Sequence, residues 1–207
     1  MIELLACKLG RNDEEPNIEL AEKLCNGKDK KGIREIAGGL ESKEEAVVND
    51  CIKVLYEIGK RKPELISGFA GDFITALSGR NNRLVWGSMM ALAYIAPLEP
   101  DAIFNRLAEI IAAYKKGSVI TVDNSISVFA ELCKAKAECR KKVFPLLLGH
   151  LQKCRPKEVP QHAERIAVCI DSSNRQTFAE ALDARAGEFT EAQKRRIQAL
   201  KKKLDRV

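Results

Sequence analysis

The chain has 207 residues, 45% of them apolar and 31% charged, with a formal net charge of +6. That apolar content excludes a disordered segment, which buries too little to offset chain entropy, and the length allows a sizeable core. Only 5% of residues are aromatic, with Trp86 the single tryptophan, and the abundance of Ala, Leu, Ile, Glu and Lys favours helix.

Charge is uneven along the chain. Residues 1–103 hold 14 Lys/Arg against 17 Asp/Glu, and residues 104–207 hold 21 against 12, so the C-terminal half carries the positive excess. A basic half suits an acidic partner, a nucleic acid or simply solvent. The first residues, MIELLACKLG, have an acid at position 3, no basic n-region and a short apolar run, so no secretory signal is expected. The longest nearly apolar run, 85–98, is too short to span a bilayer, and no membrane partner is expected. Seven cysteines without a CxxC pair fit free thiols in a reducing, cytoplasmic compartment.

In chain order, apolar spacing and stop signals predict helices at 2–9, 16–26, 29–40, 43–60, 64–78, 81–96, 100–116, 119–134, 137–152, 158–171, 174–186 and 190–206. Capping boxes are expected at Ser42–Glu45, Ser173–Gln176 and Thr190–Gln193. Pro63 and Pro100 suit first turns. Gly27, Gly79 and Gly117 suit left-handed helix ends. Val119-Ile-Thr-Val122 has strand propensity, and Pro145 should bend its helix or mark its true start.

A 37-residue period runs through these helices. Val48, Val85, Val122 and Val159 stand 37 apart, as do Leu55, Leu92, Phe129 and Ile166, and Ile58, Ile95, Leu132 and Cys169. In the following helices four more rows recur: Ile33, Ala70, Leu107 and Phe144; Ile36, Phe73, Ile110 and Leu147; Ala37, Ile74, Ile111 and Leu148; Leu40, Leu77, Tyr114 and Leu151. Within each helix the positions fall at i, i+3, i+4 and i+7, which is one helical face. The register places Val122 on the valine row and so overrides its local strand propensity. A period of this length signals stacked helical repeats.

Over about residues 16–186 the pattern resembles the HEAT/armadillo-repeat family. Val48–Gly59 (VNDCIKVLYEIG) looks like the first helix of a HEAT unit, and Val143–Leu151 (VFPLLLGHL) looks like a second helix with its aliphatic-Pro-Leu segment. The Asp of the interhelical turn and the Arg of the first helix, usual in that family, are not regularly present. The resemblance implies an all-α fold: a right-handed α-solenoid of about five two-helix repeats. It would form one domain, with residues 1–42 as N-terminal cap and degenerate first repeat, 43–171 as regular repeats and 172–207 as C-terminal cap helices. First helices would line the convex face and second helices the concave face.

On the second helices, the positions opposite the core stripe would then face a partner. Read 37 apart, they give an acidic line, Glu35, Asp72 and Glu109, with Asn105 beside it and Lys116, Lys142 and Lys153 reversing the sign toward the C-terminus. Neighbouring helices lie about 8–10 Å apart, so the line would follow the inner face. Trp86 is the candidate hot spot. The expected function is a non-enzymatic scaffold that binds a partner protein or peptide along this concave face.

Catalytic and metal chemistry is not expected. No GxSxG, GxxxxGK[ST] or HExxH occurs, and no cofactor is implied. His150 and Cys154, at i and i+4, have a spacing that suits two metal ligands. However, Cys139 does not complete that face, and the register puts His162 on the packing row of Cys51, Ser88 and Ser125. The alternative function is nucleic-acid binding, through a resemblance to DNA glycosylases built from HEAT-like repeats. Basic residues crowd 134–157 and the tail, but the clustered aromatics of that family are missing. The tail's Ile197, Leu200 and Leu204 form a narrow apolar stripe fit to dock as a cap.

Overall fold

The computed structural model describes residues 1–205. Among them are twelve α-helices, six short 3-10 turns and no strand. The fold is all-α. No helix among the described residues is long and apolar enough to cross a membrane. The chain divides into two compact units, Met1–Ser125 and Ile126–Val207, and the division falls inside one helix.

The first unit contains α1 (Glu15–Gly27), α2 (Lys30–Gly38), α3 (Glu45–Arg61), α4 (Ala70–Ala76), α5 (Asn82–Ile95), α6 (Pro100–Asn105), α7 (Leu107–Lys116) and the start of α8 (Val119–Ala135). Its centre is α3, which packs on α1, α2 and α5. Every residue of α3 from Cys51 to Gly59 is buried. Close approach to α5 depends on Gly87, where a Cβ would meet Ile52 Cγ1 at 2.6 Å.

Burying a helix along nine consecutive residues buries its charges as well. Lys53 and Glu57, one turn apart, are 6% and 8% exposed. Lys53 Nζ lies 2.9 Å from Glu57 Oε1 and 2.9 Å from Glu14 Oε2. Arg61 Nη1 approaches Glu57 Oε2 at 2.5 Å, and Arg83 pairs with Glu14. The Lys53 ammonium also sits 4.9 Å from the Tyr56 ring centroid. Burial favours the neutral lysine, but hydrogen bonds to Glu57 and Glu14 outweigh it and raise the Lys53 pKa. The same burial would raise Glu57, yet Arg61 and Lys53 hold it below the ordinary carboxylate range. This network was not legible in the periodicity, which treats both residues as polar positions of the helix.

The second unit holds the rest of α8, then α9 (Ala137–Lys153), α10 (Val159–Ile166), α11 (Arg175–Asp183) and α12 (Glu191–Leu204). Phe129, Val143, Leu147, Ile166, Phe178 and Leu182 are at most 1% exposed and form its core. α9 packs on α10 and α11, and α12 on both α10 and α11. The stripe Ile197, Leu200 and Leu204 is buried, as a docked terminal helix requires.

The apolar rows are buried to different degrees. The Leu55 and Ile58 rows are buried in all four members, as are Ile36, Phe73, Ile110 and Leu147. In the other rows Ala37, Leu40, Leu107, Ile111, Tyr114, Val122, Phe144 and Leu148 are half-buried. Val119–Val122 is helical within α8 despite its local strand propensity.

Several boundaries differ from expectation. Residues 2–9 form a 3-10 turn at Ile2–Leu4 and further turns, not a helix. Buried Asn17 Oδ1 accepts from Ala6 N at 3.0 Å and Asp50 Oδ2 from Cys7 N at 2.8 Å, so these amides are held by side chains. The 64–78 helix is reduced to 3-10 turns at Pro63–Leu65 and Ser67–Phe69 followed by α4; Gly68 and Gly71 lower helix propensity there. The 100–116 helix breaks at Arg106 (φ −111°, ψ 25°), whose guanidinium reaches Gly71 O at 3.0 Å and Thr75 Oγ1 at 3.2 Å. α9 runs unbroken through Pro145, which is exposed.

Of the capping boxes, only Thr190–Gln193 forms on both sides. Ser42 Oγ accepts from Glu44 N without capping α3, and Asn174, not Ser173, stands at the start of α11. Left-handed backbone occurs at Lys28 and Gly10, and not at Gly27, Gly79 or Gly117. Pro100 starts α6 as expected.

Removing one member of the Lys53 network should show how far the fold depends on it. Lys53→Met leaves Glu57 buried with one cation fewer and is expected to cost about 3 kcal/mol, whereas Lys53→Met with Glu57→Leu recovers much of that loss. Urea denaturation of both variants measures the difference. Because Glu57 and Glu14 titrate lower in the folded chain than unfolded, their stabilisation is present above the ordinary glutamate pKa and is lost as pH falls through their folded pKa values. The acid limb of the denaturation midpoint should flatten in the double variant.

Candidate functional site

In the first unit the end of α4, the start of α5 and the length of α7 enclose an open groove of about 360 Å³. Leu77, Gly79, Val85, Glu109, Ala113 and Lys116 line it. Leu77, Val85 and Ala113 are 7–9% exposed, so their apolar sides form its floor. Small residues keep the floor low. The lip at α5 is fixed locally: Asn81 Oδ1 accepts from Arg83 N at 2.9 Å and Leu84 N at 3.1 Å, and Asn81 Nδ2 donates to Asn49 Oδ1 on α3 at 2.9 Å.

Glu109 and Lys116 are seven residues apart on α7, two turns or about 10 Å along its axis. Both are exposed. Arg106 clasps Glu109 through Nε at 2.7 Å and Nη2 at 2.6 Å, and this pairing holds the Glu109 carboxyl below its usual range. Lys116 has no ion pair among the described residues. The groove therefore presents one compensated anion and one cation open to a ligand.

The other predicted partner residues stand outside this groove. Glu35 is exposed on α2 and accepts from the Met1 ammonium at 2.6 Å and Ile2 N at 3.3 Å; the ammonium hydrogen bond holds its carboxyl low. Asp72 is exposed on α4, and Asn105 is exposed at the end of α6. Two of the three carboxylates in the acidic line thus already have cationic partners. Lys142 and Lys153 are exposed on α9 of the second unit. Trp86 is half-buried on α5, its ring centroid 5.7 Å from that of Tyr56 and 5.8 Å from the Arg83 guanidinium carbon. Packing accounts for one side of the indole.

In the second unit the two histidines meet. His150, in the last turn of α9, and His162, on α10, bring Nε2 and Nδ1 to 2.8 Å, with ring centroids 4.7 Å apart. Cys154, one turn after His150, completes a group whose ligating atoms all lie within 4.8 Å of one another. His162 is buried, as its packing row requires, together with Cys51, Ser88 and Ser125. What the row did not reveal is that its inward side chain points at His150. A first-helix residue and a second-helix residue twelve apart meet across the hairpin, and this follows from helix rotation, not from linear spacing.

Arg185 closes the same corner. Its Nη1 donates to Leu151 O at 2.6 Å and Cys154 O at 2.7 Å and lies 4.0 Å from Cys154 Sγ. Burial raises the Cys154 thiol pKa, and the Arg185 charge opposes that rise. All seven cysteines are free thiols.

Part of the positive charge of the second unit is paired. Arg140 binds Asp171 at 2.7 Å, Arg185 binds Glu188 at 2.6 Å, Arg196 binds Glu164 at 2.5 Å and Lys201 binds Asp183 at 2.5 Å. Arg155 pairs with Glu158.

No family model matches the chain, and no curated protein matches it. Among solved structures it is similar to the crystal structure of an engineered protein from the Northeast Structural Genomics Consortium, with a TM-score of 0.65 and 16% identity over 99% of this chain and 96% of that one. At that identity the likeness speaks to the helical fold alone.

The Arg106 clasp is directly testable. Arg106→Gln should return the Glu109 carboxyl upward toward its ordinary value, read by side-chain NMR titration. Since the pair is exposed, overall stability should change little.

Proposed function

We propose that this protein is a non-enzymatic protein–protein interaction scaffold of the HEAT/armadillo type, a right-handed α-solenoid of about five two-helix units acting in the cytoplasm. The recurrence of buried residues at intervals of 37 supports the repeat reading, and seven free thiols suit a reducing compartment. The single observation that carries the binding reading is the groove beside α7, with an apolar floor and, in Lys116, a cation without an ion pair among the described residues.

The occupant it fits is an extended peptide of a partner protein. An aliphatic side chain would lie on Leu77, Val85 and Ala113, and a carboxylate would meet Lys116. Because Arg106 already neutralises Glu109, the groove selects for acidic peptides over basic ones. Glu35, Asp72, Asn105, Lys142 and Lys153 extend the same reading to the rest of the second-helix face, with Trp86 as a flanking contact. Nucleic-acid binding is the competing function; the scarcity of aromatic side chains, 5% of the chain, weighs against it.

Selection of a displayed random-peptide library on the full-length protein tests the proposal. Recovered peptides should carry an acidic residue near an aliphatic one. Lys116→Glu should weaken them by at least about tenfold, or about 1.4 kcal/mol. Recovery of basic peptides only, or unchanged affinity in Lys116→Glu, would overturn it. Tight, steeply salt-dependent binding of a labelled oligonucleotide would replace it with the nucleic-acid reading.

A further inference from the structure

We propose that His150, Cys154 and His162 form a binding site for a divalent ion of the zinc class. The chain contains only two histidines, and the fold brings both to one corner together with a cysteine. The three side chains come from two helices: His150 and Cys154 from the C-terminal end of α9, His162 from α10. Their ligating atoms already lie within 4.8 Å of one another, with the two ring nitrogens at 2.8 Å. A tetrahedral zinc with Zn–N of about 2.0–2.1 Å and Zn–S of about 2.3 Å holds its ligand atoms about 3.3–3.6 Å apart. The rings therefore need to part by about half an ångström, and Cys154 Sγ needs to close in.

The donor set decides the metal class. Two imidazoles and a thiolate suit zinc and its analogue cobalt(II), whereas magnesium and calcium require oxygen ligands. Burial contributes too: His150 and His162 are 7% and 1% exposed, so solvent competes weakly for the ion. The half-buried Cys154 leaves a path for entry. The last turn of α9 also presents the negative end of its helix dipole to a cation. Arg185, 4.0 Å from Sγ, repels a metal dication but stabilises the thiolate that the metal needs.

Three protein ligands leave a fourth position for water or for a carboxylate. Loading requires two proton movements. The thiol of Cys154 releases its proton to solvent, and the proton shared between the two rings moves to the far nitrogen of the ring that keeps it. Affinity should accordingly fall as pH drops and the imidazoles protonate. Loading would pin α10 to the end of α9 across the connection from 154 to 158. This inference stands independently of the peptide groove, which lies in the other unit.

Cobalt(II) titration of the purified, chelator-stripped full-length chain is the test, followed by displacement with zinc. We expect one ion per chain, visible d–d bands of tetrahedral intensity, and a near-ultraviolet thiolate-to-cobalt band. Zinc should raise the melting temperature. Cys154→Ser should abolish the thiolate band, and His162→Gln should weaken zinc by at least about tenfold. Should His162→Gln fail to fold, the wild-type spectrum and its change in the conservative, half-exposed Cys154→Ser variant decide the matter. Absence of the thiolate band in wild type, or a band unchanged in Cys154→Ser, would overturn the site and leave a hydrogen-bonded histidine pair that serves packing alone.

Discussion

Lys53 imposes the constraint on which the first unit is built. A central helix buried on all sides needs neighbours that cover its polar positions as well as its apolar ones. Lys53 meets that need with Glu57 one turn later and Glu14 from the residue preceding α1. Through Glu14 the network reaches Arg83 on α5. Three segments distant in sequence are thereby tied to one ammonium group. Alternative placements of α1 or α5 would strand a buried charge, at a cost of several kcal/mol. The value of the network lies in excluding those placements more than in adding net stability.

The candidate groove inherits its geometry from that centre. Arg83 is two residues from Val85, which forms part of the floor, and Asn81 at the same helix start is bound to Asn49 on α3. On the opposite wall, Arg106 departs from helical geometry, bonds to Gly71 and Thr75 on α4, and turns back to hold Glu109. One side chain thus joins α4 to α7 and fixes the electrostatics of the groove. A rigid frame of this kind lowers the ordering cost of binding, because little has to be immobilised when a ligand arrives.

The best-kept apolar rows were legible because burial recurs at the period: Leu55, Leu92, Phe129 and Ile166 are all buried. The rest was not legible for a physical reason. Arg106, Lys53 and Asn17 make contacts that occur once, between particular elements, and a period cannot encode a unique contact. Thus the 100–116 helix was expected to be continuous where Arg106 interrupts it, and 2–9 was expected to be helical where Asn17 and Asp50 take its amides. Of the site, Glu109 and Lys116 could be placed on one face because they share α7. The encounter of His150 with His162 could not, since it depends on how two helices rotate against each other.

Formal charge is a poor guide to what a partner would meet. The C-terminal half carries the positive excess, yet Arg140, Arg155, Arg185, Arg196 and Lys201 each face a carboxylate within the second unit. Likewise Glu35 and Glu109 lose most of their long-range field to a cation close by. An ion pair acts at a distance as a dipole, and its field falls faster than that of a lone charge and is screened within about 8–10 Å. Recognition then rests on side chains without such partners, whose charge remains available at the surface. Lys116 is such a side chain, and it stands beside apolar floor that a ligand can desolvate. This coincidence of residual charge and apolar surface distinguishes the groove from the larger basic surface of the second unit, whose charge is only partly paired.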